Sequence, residues 1–341
     1  MLNVGLVGFG FAGQVFHAPV ISCVEQLRLA AIVRRSGERD PRYPDTEFVR
    51  SVEDLLARPI DLVVIATPNT SHAPIAKQCL LAGKHVVIDK PFATTATEAE
   101  ELIAIAEERK LLLSVYQNRR YVGDFVTLQK LLAENALGRI TSFESHFDRF
   151  RPELRPGSWR EQPIPGSGLW FDLGAHLLDQ VLVIFGIPEA VSADIRIERD
   201  GATVDDASDV TLHYPRMRAM LRISMLAAAP GPMFIVRGTK GTFIKYGLDP
   251  QEEALKAGRL PNKSDWDCEP PELYGKLTTA EGTTTIPTTP SNFTHYYANI
   301  RDAILGKIDL AVKPQQSLAV MRGIELALAA SAQRRTLPWP K

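Results

Sequence analysis

The stretch "NVGLVGFGFAG" (residues 3–13) constrains the fold more than any other part of this chain. Its first residues, "NVGLVG", read as a short strand of the buried type, and a helix-length segment follows the glycines. A lone G-x-G-x-x-G is weak. Placed after a strand and opening a helix, it has a mechanism. Gly8 allows a tight turn, Gly10 lets the backbone approach a pyrophosphate, and Gly13 lets helix and strand pack closely. The helix N-terminus adds N–H groups and positive potential for an anion. Gly8, Phe9, Gly10, Phe11, Ala12 and Gly13 are therefore candidate cofactor contacts.

The pattern that follows repeats strand and helix. Strands are expected at 27–33, 61–67, 85–89 and 111–115, with helices at 51–57, 71–83 and 97–110. Continuous apolar strands separated by helices predict a doubly wound parallel sheet over residues 1–120, an α/β Rossmann arrangement. After residue 120 the character changes. A helix at 125–135 leads to a strand at 139–148, a Pro-, Gly- and Arg-rich loop (151–168) and a helix from 170. Strand-like runs then follow near 190–198, 208–213, 217–226, 233–237 and 241–246, with helical segments near 293–305 and 315–333. Strands without crossover helices predict a C-terminal α+β domain, 121–341, built on a mainly antiparallel sheet. A cleft between the two domains is the expected ligand site.

Composition excludes several functions. A chain of 341 residues, 45% hydrophobic, has room for two buried cores. Lys+Arg 39 against Asp+Glu 40 leaves a net charge of -1, which offers no bulk attraction to nucleic acid or anionic lipid. Cys23, Cys79 and Cys268 form no close-spaced metal pattern and read as free thiols in a reducing compartment. "MLNVGLVGFG" has no basic leader and enters a strand at once. A soluble, cytoplasmic protein is expected.

The strand ends carry the candidate site. After the second strand a dinucleotide site usually has an acid for the ribose 2′-hydroxyl. Here Arg34, Arg35 and Ser36 stand in its place, which suits a 2′-phosphate and favours NADP over NAD. In the alternative, Glu38 or Asp40 supplies the acid. Thr67, Pro68 and Asn69 follow the third strand, at the edge where such sheets bind ligands, with His72 opening the next helix. "DKP" (89–91) follows the fourth. Lys90 there could meet both nicotinamide ribose and a substrate hydroxyl, beside Asp89.

"WFDLGAHLLD" (170–179) sets Asp172, His176 and Asp179 at i, i+4 and i+7, one stripe on a helix apolar nearly all round. A solvated face, a metal site and a catalytic stripe all fit that spacing. With a dinucleotide motif upstream, no metal is needed. Hydride transfer from an alcohol carbon needs a base, a role that suits His176, and Asp172 could orient its ring. Lys90 could polarise or deprotonate the same oxygen.

Together, "GFGFAG", "ATPNTSH", "AGKHVVIDKPF" and "DLGAHLLDQ" resemble the Gfo/Idh/MocA oxidoreductases over essentially the whole chain. The family commonly has Glu before its catalytic lysine, where this chain has Asp89. The resemblance implies Lys90, Asp172 and His176 as the catalytic set, and oligomers, dimers or tetramers, formed through the C-terminal sheet. "VFHAP", "YQNRR", "FESHFDRFRP", "MLAAA" and "YGLDPQEEALKAG" look like the NADP-dependent scyllo-inositol 2-dehydrogenase branch. That likeness implies a cyclic polyol substrate and places His17, Asn118 and Arg149 near nicotinamide or substrate. The runner-up is a different sugar or sugar acid, since the arginines of the loop could hold a carboxylate or phosphate. A regulator that binds a dinucleotide without turnover is a further alternative, against which the intact Lys90, Asp172 and His176 argue.

Overall fold

A computed structural model describes residues 1–261, 266 and 269–340. Cys268, read above as a free thiol, lies outside the described residues. Contacts divide the chain into two compact units. The first is Met1–Tyr121 with Pro250–Trp266 and Asn292–Leu318; the second is Val122–Asp249 with Asp267–Ser291 and Ala319–Lys341.

The first unit holds a six-stranded sheet. Its strands are β1 (Leu2–Val7), β2 (Leu27–Val33), β3 (Glu47–Val49), β4 (Leu62–Ile65), β5 (His85–Ile88) and β6 (Leu113–Val115). The order is β3-β2-β1-β4-β5-β6, and every described pair is parallel. The chain starts in the middle and winds outward both ways, so strand order reverses beside β1, where open α/β sheets bind nucleotides. β4 is buried along its whole length, as a strand covered on both faces must be. The helices have local causes. Ser51 accepts the Asp54 N–H and starts Val52–Leu56. Thr95 and Glu98 form a reciprocal capping box at the start of Ala96–Arg109.

The second unit holds a nine-stranded sheet: β7 (Ile140–Asp148), β8 (Ala190–Arg196), β9 (Ala207–Tyr214), β10 (Met217–Ser224), β11 (Phe234–Gly238), β12 (Gly241–Lys245), β13 (Gly275–Thr279), β14 (Gly282–Ile286) and β15 (Leu337–Pro338). Its order is β14-β13-β12-β11-β7-β10-β9-β8-β15. β7 and β10 run parallel and the other described pairs are antiparallel. The predicted class holds: a Rossmann sheet plus a mainly antiparallel sheet. Alternation sets the buried face: Met217, Ala219, Leu221 and Ile223 of β10 lie in the core, as do Phe143 and Phe147 of β7. The helix Ala175–Phe185 packs on that face, with Phe185 edge-on to Phe143 at 5.5 Å.

Candidate active site

The glycine loop has the form its motif demands. Gly8 takes φ +98, and a side chain there would meet the Ala66 carbonyl oxygen at 2.5 Å. A Cβ on Gly13 would lie 2.1 Å from the Gly8 oxygen. Those two glycines answer to the protein's own packing. Gly10 does not: nothing lies within 4 Å of a Cβ placed there. Bare backbone facing open space, on a loop after β1, fits a pyrophosphate. Phe9 turns inward, edge-on to Phe48 at 5.7 Å and Tyr43 at 6.0 Å, while Phe11 is exposed. The segment after the loop is not a regular α-helix at first. Gly13–His17 is π-helical and passes into the α-helix Ala18–Ser22.

After β2, the Arg34 guanidinium lies over the Phe9 ring, 5.7 Å from its centroid, and donates to the Glu38 carbonyl oxygen at 2.6 Å. Arg35 and Ser36 are exposed. Of the two alternative acids, Glu38 is exposed, and Asp40 is engaged with Arg42 at 2.7 Å, which holds its carboxyl below the usual range. A further guanidinium, Arg50, braces this turn by donating to the Arg34 and Gly37 carbonyl oxygens at 3.1 and 3.3 Å. Sequence reasoning missed Arg50; a third arginine just after β3, whose end abuts β2, was the available signal.

At the ends of β4 and β5 the polar groups tie loop to loop. Thr67 accepts from the Ser71 hydroxyl at 2.8 Å, Asn69 is buried and Pro68 is exposed. His72 is buried, with Nε2 2.9 Å from the Thr67 oxygen and Nδ1 2.9 Å from the Pro91 oxygen. Both ring nitrogens therefore face backbone, and His72 joins the two loops. Burial pushes its pKa down. Asp89 Oδ1 accepts the Lys90 N–H at 2.8 Å, and the Lys90 side chain is half-buried. His17, expected near substrate, is fully buried behind Asp89, with Nδ1 2.6 Å from the Tyr297 hydroxyl. Asn118 is buried on a 3₁₀ turn, Asn118–Tyr121.

In the second unit the stripe is not a wet face. His176 and Asp179 are 6% and 1% exposed, and the Asp172 side chain is 23% exposed. Its geometry also departs from one regular helix. Trp170–Gly174 is π-helical and Ala175–Phe185 is α-helical, so Asp172 and His176 straddle the junction. Such π segments cluster at functional sites. Gly174 permits it, since a Cβ there would lie 2.3 Å from the buried Trp170 ring. The segment starts on Asp205, whose Oδ2 accepts the Trp170 N–H at 2.6 Å; burial pushes that carboxyl up to about 6.

The Arg-rich loop is divided in its roles. Arg149 lies over Phe147, 5.0 Å from the ring centroid. Arg160 lies over Trp159 and sets Nε 3.6 Å from Asp172 Oδ1. Buried Arg199 tethers the loop through Glu161 at 3.1 Å while holding Asp206 at 2.8 Å. Arg199 and Asp205 were missed because nothing local marks them. Among the described residues no group of three or more His, Cys, Asp and Glu could hold a metal ion, and no helix is long and apolar enough to cross a membrane. Cys23 and Cys79 are free thiols, the latter pushed up to about 12 by burial.

Comparison with known proteins bears on this arrangement. Residues 2–117 match the NAD-binding Rossmann fold of an oxidoreductase family, and residues 129–339 match the C-terminal alpha/beta domain of the same family. The uncharacterized oxidoreductase YdgJ of Escherichia coli (strain K12) is 45% identical, covering 98% of each chain. The scyllo-inositol 2-dehydrogenase (NADP(+)) IolW of Bacillus subtilis (strain 168) is 38% identical over 98% of this chain and 95% of its own. The solved structure of yvaA from Bacillus subtilis superposes with a TM-score of 0.96 at 38% identity, covering 99% of this chain and 98% of that one.

Proposed function

Since the chain belongs to the Gfo/Idh/MocA oxidoreductase family, we propose that it is an NADP-dependent dehydrogenase of a cyclic polyol, interconverting scyllo-inositol and its 2-keto form. One observation carries the substrate: likeness to IolW along nearly the whole of both chains. The cofactor choice is supported by Arg34, Arg35 and Ser36 at the end of β2, with Asp40 already paired to Arg42.

The glycine loop and the turn after β2 would hold the dinucleotide, which supplies a hydride acceptor or donor when bound. With the dinucleotide bound, the nicotinamide would take the hydride released from the alcohol C–H bond, and the hydroxyl proton would be left to residues of this chain. Lys90 and His176 are the groups offered for that proton, and Asp172 is the carboxylate beside the sequence of His176. Arg160 Nε lies 3.6 Å from Asp172 Oδ1. The protein works in the cytoplasm as a homodimer or homotetramer.

A sugar acid is the second reading, favoured by Arg160, half-exposed beside Asp172. The test is a panel of inositols, aldoses and sugar acids, each with NAD and NADP, followed by absorbance of the reduced nicotinamide. Turnover of scyllo-inositol with NADP is expected. Turnover of sugar acids with every inositol inert would replace the first reading by the second.

A further inference from the structure

His17 ends the π-helical turn Gly13–His17 that the glycine loop opens. Its ring packs on Tyr116, with centroids 4.5 Å apart. Nδ1 meets the Tyr297 hydroxyl at 2.6 Å. Nε2 has no hydrogen-bond partner among the described residues and faces Asp89 Oδ2 at 3.7 Å. The other oxygen of that carboxylate accepts the Lys90 backbone N–H. A chain of polar groups therefore runs from the core to the carboxyl end of β5, all of it within the first unit.

The partners set the hydrogens. Burial opposes the Asp89 charge, but His17, Lys90 and His72 outweigh it and hold the carboxyl below its usual range. An ionised carboxylate only accepts, so Nε2 carries a hydrogen towards it. On the other side of the ring Nδ1 meets the Tyr297 hydroxyl at 2.6 Å. Tyr297 keeps its proton because burial raises its pKa well above the ordinary value. Tyr297 is fully buried, so the chain leads away from water and is no exit for a substrate proton.

The geometry points to His17 and Tyr297 as positioning residues for the reaction: they orient the Asp89 carboxylate, which in turn fixes the backbone from which the Lys90 side chain departs. This rests on the reading of Lys90 as a catalytic group. It also gives the imidazole of "VFHAP" a task that needs no contact with substrate.

Three variants test it: His17→Leu, which keeps bulk without polarity; His17→Gln, which keeps an N–H donor towards Asp89; and Tyr297→Phe, which removes one oxygen from an intact ring. Loosened placement of a reacting group costs rate more than binding. kcat on scyllo-inositol is expected to fall about ten- to a hundredfold in H17L and less in Y297F, with the KM for NADP within about threefold of wild type. H17Q recovers most of the loss. Without cofactor, hydrogen exchange across residues 86–92 should quicken in H17L and stay near wild type in H17Q. Unchanged kcat and exchange in H17L and Y297F, or an H17Q as impaired as H17L, would overturn the assignment. If wild-type protein turns over nothing in the panel, the proposed function fails, and the exchange measurement still decides whether this chain holds Lys90.

Discussion

Arg34 stands where the 2′-phosphate reading needs a guanidinium, and it is held there by Phe9 and the Glu38 carbonyl. Arg34→Asp removes a phosphate partner and adds repulsion. NADP affinity is expected to fall about ten- to a hundredfold with NAD nearly unchanged, read by titrating cofactor fluorescence. Equal wild-type affinity for the two cofactors would contradict the reading. His176→Ala should lower kcat by roughly 10²–10⁴-fold and leave cofactor affinity alone, the usual cost of losing a general acid or base. A kcat within about threefold of wild type would return His176 to a packing role. His17, implied by the branch likeness, and His72, read at the end of a strand, are both buried against protein partners. Their types were legible; their partners were not.

At the scale of elements, periodicity located most strands and helices but not their irregularities. β13 and β14 escaped because "GKLTT" and "GTTTI" carry little apolar alternation, and β14 is mostly exposed. The two π-helical turns were invisible, since their spacing passes for α-helix over so few residues. The second begins on Asp205, and that start is expected to be pH-sensitive. The Asp205 pKa is raised from 3.8 to about 6, chiefly by burial, so the folded protein holds this proton more tightly than the unfolded chain. The resulting stability is complete below 3.8 and is lost as pH rises through 6. Asp205→Asn never ionises and can still accept the Trp170 N–H. At pH 8 it should be more stable than wild type by on the order of 2–3 kcal/mol, with the gain shrinking towards pH 4. Urea denaturation at the two pH values checks this, and a gain independent of pH would show that burial does not strain the carboxylate.

For the whole molecule, the class was readable because both sheets announce themselves through their connections. Strands joined by helices became a parallel sheet, and strands in succession became a mainly antiparallel one. The return of Pro250–Trp266 and Asn292–Leu318 to the first unit left no such mark. Assembly belongs to this scale too. Sedimentation velocity at assay concentration should give a dimer or tetramer through the nine-stranded sheet, and a monomer throughout the range would reject that expectation.

What the sequence determined by itself is whatever short-range pattern encodes. The glycine loop, the parallel character of the sheet that holds β1, β2, β4 and β5, and the residue types at their ends all follow from spacings of a few residues. Tertiary structure decided which side chains meet. His17 finds Tyr297 across 280 positions, Trp170 finds Asp205 across 35, and Arg199 finds Glu161 across 38. A hydrogen bond between distant segments depends on how the intervening chain packs, and no local spacing records that.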